Sequence, residues 1–145
     1  MKMLAIGSDH GGYDLKEKVM AHLKERGIEY KDFGTYSKDS CDYPIYGRAA
    51  AKAVASGEAE RGIVICTTGI GISITANKVK GIRCALCTTV MQAQMTRLHN
   101  DANMLALGAN VIDEALAIEI VDKFLDTEFS GEERHARRIA LIEAE

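Results

Sequence analysis

The segment from Gly62 to Lys78, GIVICTTGIGISITANK, decides the fold. Gly62 to Cys66 is an unbroken apolar run of strand length, as expected of a buried strand. Thr67, Thr68, Gly69 and Gly71 then predict a tight turn, and a helix begins near Gly69. Glycine lets the backbone of such a turn approach a ligand closely. The first N–H groups of the helix and its dipole favour an oxyanion or a phosphate. The same field favours a thiolate at Cys66. A base or nucleophile beside an anion hole is the core of an active site, so the segment points to an enzyme.

Outward from this segment, strands and helices alternate. Strands are predicted at Lys2–Gly7, Ile28–Phe33, Gly62–Cys66, Arg83–Cys87 and Met104–Leu107. The first helix carries Leu15, Val19 and Leu23 on one face and Lys16, Glu17 and Lys24 on the other, and ends at Gly27. A small-residue helix, YGRAAAKAVASG, stops at Gly57, and DYP before it is read as loop. Further helices cover Val90–His99, Asp113–Leu125 and a charged tail from about Glu132 to Ala144. Short connections between alternating elements demand helical crossovers and a parallel sheet. The expected architecture is a Rossmann-like α/β three-layer sandwich on five parallel strands, with a C-terminal helical arm. Residues 1–145 read as one domain, without repeat or linker. Ligands of such sheets bind at the carboxyl ends of the strands. Those ends carry Asp9 and His10, Cys66 to Thr68, and the loop after the fifth strand.

Composition narrows the classes. A net charge of −3 leaves no basic footprint for nucleic acid. No apolar run is long enough for a membrane span, and the first residues do not form a signal peptide, so a cytoplasmic protein is expected. Four free thiols fit that compartment. Cys84 and Cys87, three apart on a strand, point to opposite faces and suit packing rather than a metal or a disulfide. Cys41 sits in a polar loop without an evident partner, and His22 reads as a surface residue.

Each candidate side chain has a structural alternative. His10 either faces a ligand at a strand end or caps the next helix. Thr68 either donates to a reacting oxygen or caps the helix at Gly69. His99, in the run HNDAN, is either a general acid–base or part of a helix end. Arg134 and Arg138 lie one turn apart and suit a phosphate, or belong to a solvated tail helix paired with Glu132 and Glu133. The GIG turn is a poor dinucleotide fingerprint. It follows the third strand rather than the first, and the next strand ends without an acid.

Five stretches together resemble a known family. GSDHGG (Gly7–Gly12), DYP (Asp42–Pro44), ICTTGIGISITANK (Ile65–Lys78), RLHNDANMLALGA (Arg97–Ala109) and the RHxxR tail (Arg134–Arg138) are similar to the type B ribose-5-phosphate isomerases. The resemblance implies an aldose–ketose isomerase of ribose 5-phosphate and ribulose 5-phosphate, with neither metal nor cofactor. It implies a homodimer or tetramer whose site is shared between chains. By the same resemblance Cys66 moves the proton between C2 and C1, and His99 helps open the sugar ring. Asp9, His10, Tyr43 and Asn100 line the site, and Arg134 and Arg138 hold the phosphate. The residues fit that chemistry. Proton abstraction beside a carbonyl needs a stabilised enediolate, and the N–H groups of Thr67, Thr68, Gly69, Ile70, Gly71 and Ser73 are placed to supply it. Asp9 can serve as the base in ring opening. The chain departs from the family pattern in having Thr67 for the glycine after the cysteine and Asn110 for an arginine. The alternatives are an isomerase of a hexose 6-phosphate, such as allose or galactose 6-phosphate, and a non-catalytic sugar-phosphate-binding module.

Overall fold

The computed structural model describes residues 2–145. Five strands, β1 (Leu4–Ser8), β2 (Tyr30–Asp32), β3 (Arg61–Cys66), β4 (Cys84–Leu86) and β5 (Met104–Gly108), form one parallel sheet in the order β2-β1-β3-β5-β4. The helices are α1 (Tyr13–Glu25), α2 (Tyr43–Ala55), α3 (Ile70–Asn77), α4 (Val90–Asn100), α5 (Glu114–Asp126) and α6 (Glu133–Glu143). The sandwich expected from the sequence is the one observed.

Strand alternation builds two cores. Leu4, Ile6, Ile63, Ile65, Leu105 and Leu107 face α1, α4 and α5. Ala5, Val64, Cys66, Met104 and Ala106 face α2 and α3. The second core is alanine-rich, so α2 and α3 sit close to the sheet and to each other. At Gly47 of α2, an added Cβ would lie 2.7 Å from Ile72. Cys87 packs in the first core and Cys84 against the second, as their spacing predicts. Beside β4, an edge strand of the sheet, Asn77 both donates to and accepts from the backbone of Cys84, at 2.9 and 2.8 Å, and so blunts that edge.

Several readings need correction. β1 begins at Leu4 rather than Lys2, and β2 shortens to Tyr30–Asp32 at the other edge of the sheet. The DYP stretch is not loop. Asp42 is the N-cap of α2 and Pro44 stands in its first turn, where a missing N–H costs nothing. Lys16 does not face solvent but is wholly buried. Its Nζ donates to Asp32 Oδ1 at 2.7 Å and to the Thr35 carbonyl, and lies 5.5 Å from the ring centroids of both Tyr13 and Tyr36. The residue between two buried apolar positions is thus recruited by the end of β2 and the loop after it. His22 is no free surface group. Its Nε2 meets Asp122 at 2.7 Å and ties α1 to α5.

Candidate active site

The connection through α1 lies on one face of the sheet and that through α2 on the other. The chain therefore reverses between β1 and β3, and a crevice opens at their carboxyl ends. A cleft of about 520 Å³ lies there, lined by Asp9, Tyr43, Cys66, Thr67, Thr68, Ile70, Gly71 and Ile74.

Cys66 ends β3 and is 5% exposed. The Gly69 N–H donates to its Sγ at 3.1 Å. Gly69 has φ +79°, and an added Cβ there would meet the Leu107 carbonyl carbon at 2.8 Å and the Gly108 nitrogen at 2.9 Å. Only glycine lets this turn press against the end of β5 while aiming its N–H at the sulfur. The loop after β5 holds the turn from beyond, with Ala109 and Asn110 N–H groups donating to the Cys66 and Thr67 carbonyls, each at 2.9 Å. Gly69 is the N-cap of α3, and Thr68 stands just before it, its Oγ1 accepting from the Ile70 N–H at 3.3 Å while its own proton stays available to a ligand. Gly71 and Ile72 N–H groups have no protein partner among the described residues, as expected in a first helical turn. Ser73 does not join them. Its N–H bonds Gly69 O at 3.2 Å, and its hydroxyl donates to Ile70 O at 2.8 Å.

Across the cleft, Asp9 Oδ1 accepts from the Gly12 N–H at 2.9 Å, which fixes the carboxylate at the β1–α1 turn. The Tyr43 ring packs on Gly71, where an added Cβ would lie 2.6 Å from it. His10 follows Asp9 and is exposed; its Nδ1 accepts the Cys41 N–H at 3.2 Å. In the neutral ring this leaves the proton on Nε2. The Cys41 loop thus has a partner after all, and the Cys41 Sγ lies 3.8 Å from the same nitrogen.

The remaining candidates are elsewhere. Helix α4 runs back from the carboxyl end of β4 to the start of β5, so His99 and Asn100 lie at the amino edge of the sheet. Roughly 13 Å of strand separates that edge from the Cys66 end. Asn100 lines a separate cavity of about 570 Å³ with Asn77, Arg83 and Glu143. The His99 ring packs on that of His135 with centroids 4.3 Å apart and planes tilted by 38°. His135 is 4% exposed, and its Nδ1 lies 2.9 Å from Ser130 Oγ. Burial and the neighbouring His99 hold the His135 pKa below its usual value. Arg134 approaches Glu132 only at 3.5 Å, and Arg138 has no carboxylate partner among the described residues. Sequence reasoning missed His135 and Ile74. The arginines around His135 marked its segment as polar, and only tertiary packing buries it.

Fold and cleft define an α/β protein with a buried cysteine and an amide-rich turn at the switch point of a parallel sheet. The chain belongs to the Ribose/Galactose Isomerase family, whose model matches residues 4–142. It is 49% identical to ribose-5-phosphate isomerase B of Escherichia coli over 144 residues, covering 99% of this chain and 96% of that one. It is 43% identical to the galactose-6-phosphate isomerase subunit LacB of Clostridium acetobutylicum over 127 residues, covering 88% of this chain and 73% of that one. The Clostridium thermocellum ribose-5-phosphate isomerase B structure superposes with a TM-score of 0.95 at 56% identity, covering 97% of this chain and 95% of that one.

Proposed function

We propose that this protein interconverts D-ribose 5-phosphate and D-ribulose 5-phosphate, and that its site is completed by a second copy of the chain. The observation that carries the chemistry is the buried Cys66 Sγ receiving the Gly69 N–H inside a cleft that also holds Asp9. That N–H stabilises negative charge on the sulfur. Cys66 takes the proton from C2 and returns it to C1, while the proton of the C2 hydroxyl passes to O1, so that C1 ends as the alcohol and C2 as the carbonyl. The enediolate oxygens meet the free N–H groups of Gly71 and Ile72 and the Thr68 hydroxyl, each donor contributing roughly 3 kcal/mol in the transition state. His99 protonates the ring oxygen during ring opening while Asp9 accepts the anomeric proton. Arg134 and Arg138 bind the phosphate remote from the reacting carbons and hold the sugar in register. The chemistry calls for neither metal nor organic cofactor.

The shared site has a physical motive. His99 and the α6 arginines stand at the opposite edge of the sheet from Cys66, too far to act on one sugar within one chain. Helix α6 buries only His135 and leaves Leu141 and Ile142 exposed, which suits an arm lying on a neighbour. Among the described residues no helix is long and apolar enough to cross a membrane. The four unpaired cysteines support a reducing, cytoplasmic setting.

Incubation of the purified protein with ribose 5-phosphate, followed by ketose detection, tests the activity; no ketose at high enzyme concentration refutes it. The galactose-6-phosphate isomerase relative supports hexose 6-phosphates as a second reading, decided by the same assay on those sugars. For the shared site, Cys66→Ser chains are mixed with Arg134→Ala/Arg138→Ala chains. Activity should return in part once subunit exchange is verified. Exchange without any return of activity, or a fully active monomer, refutes sharing.

A further inference from the structure

Thr67 stands in the seam between the two turns that form the cleft. The Cβ that any residue but glycine would carry at position 11 falls 2.1 Å from Thr67 Oγ1 and 3.4 Å from Thr67 Cβ. The same point lies 3.4 Å from Asp9 Oδ1. The Thr67 side chain therefore rests on the backbone of Gly11, beside the Asp9 carboxylate, and closes the gap between the β1–α1 and β3–α3 turns. Its side chain is exposed, but its backbone is held. The Asn110 N–H holds its carbonyl at 2.9 Å, and a β-branched side chain has few rotamers to retreat into.

Resting on the isomerase reading above, we propose that Thr67 is a specificity-determining residue that limits the cleft to five-carbon sugar phosphates. C1 and C2 must meet Cys66 while the phosphate is held at the far end of the sugar. A hexose 6-phosphate places one more CHOH group between those two fixed ends, so its chain must bow sideways. Tyr43, seated on Gly71, and Thr67, seated on Gly11, both line the cleft beside Cys66 and narrow it. One surplus carbon against such a wall is worth about tenfold or more in discrimination.

The test compares kcat/KM for ribose 5-phosphate, allose 6-phosphate and galactose 6-phosphate. The wild-type chain is expected to favour ribose 5-phosphate by about tenfold or more. Thr67→Gly should raise the hexose-to-pentose ratio by about the same factor. Thr67→Val, which keeps the shape and loses the hydroxyl, should leave the ratio unchanged. A ratio unmoved in Thr67→Gly overturns the proposal, and so does a Val variant as relaxed as the Gly variant. A second measurement guards against a damaged fold. Gly11→Ala should lower activity and stability by forcing the seam open, and adding Thr67→Gly should restore both; a double variant no better than Gly11→Ala refutes the contact. A wild-type protein equally active on pentose and hexose phosphates overturns this inference alone. One inactive on all of them refutes the isomerase reading and the inference with it.

Discussion

Gly69→Ala and Gly57→Ala together isolate what the turn beside Cys66 requires. Both glycines have left-handed φ, +79° and +85°. At Gly57 an added Cβ has nothing within 4 Å, whereas at Gly69 it meets the Leu107 carbonyl carbon at 2.8 Å and the Gly108 nitrogen at 2.9 Å. Gly57→Ala therefore carries only the conformational cost, about 1–2 kcal/mol. Gly69→Ala adds a backbone clash of about 1–3 kcal/mol, for a total near 2–5 kcal/mol. Relief of the clash moves the Gly69 N–H away from Sγ, and losing its hydrogen bond to the negative sulfur that the proposed proton transfer requires costs about 2 kcal/mol, roughly 30-fold in rate. Urea denaturation of the two variants gives the stability difference, and ketose formation from ribose 5-phosphate gives the rate. Equal destabilisation of the two variants, with Gly69→Ala at wild-type turnover, would refute the reasoning that close contact with β5 aims this N–H.

Cys66→Ser should keep the fold and sugar binding while turnover and exchange of the C2 proton with solvent disappear; a variant that retains both removes Cys66 from the proton transfer. Lys16→Met leaves Asp32 without its buried partner and should cost about 3 kcal/mol, seen in denaturant unfolding together with faster proteolysis in the loop from Thr35 to Cys41. His135 has a pKa below its usual 6.5, so the folded state binds fewer protons than the unfolded one as pH falls past that value. The stability this contributes is fully present above that value and is lost as pH drops through the folded pKa. His135→Phe should flatten the decline in melting temperature on the acid side, and an unchanged slope would dismiss the coupling.

Much of the site was legible in order. GIVIC marks a buried strand by composition alone, and the glycines after it allow only a tight turn, so Cys66 at a strand end followed without coordinates. Asp9 and His10 followed likewise from a strand broken by GSDHGG. Lys16 was misplaced because helical periodicity assigns a face but not what lies over it. A lysine at the margin of the apolar face is drawn inward when a carboxylate at the end of β2 and a carbonyl from the loop after it replace its water. Ser73 was counted as an anion donor because sequence shows where a helix starts but not which turn its donors are spent in.

The alternation of strand and helix, the parallel sheet and the residue types able to do acid–base work are properties of the sequence by itself. They depend on local propensity and on the period of burial, both written in neighbouring residues. Which candidates share one cleft depended on the order β2-β1-β3-β5-β4. That order sets Cys66 beside Asp9, while the return of α4 between two parallel strands puts His99 at the amino edge. The meeting of Thr67 with Gly11, and of His99 with His135, depended on it as well. Such contacts join residues far apart in the chain, and their energies arise only when the packed sheet has brought the backbones within a few ångströms.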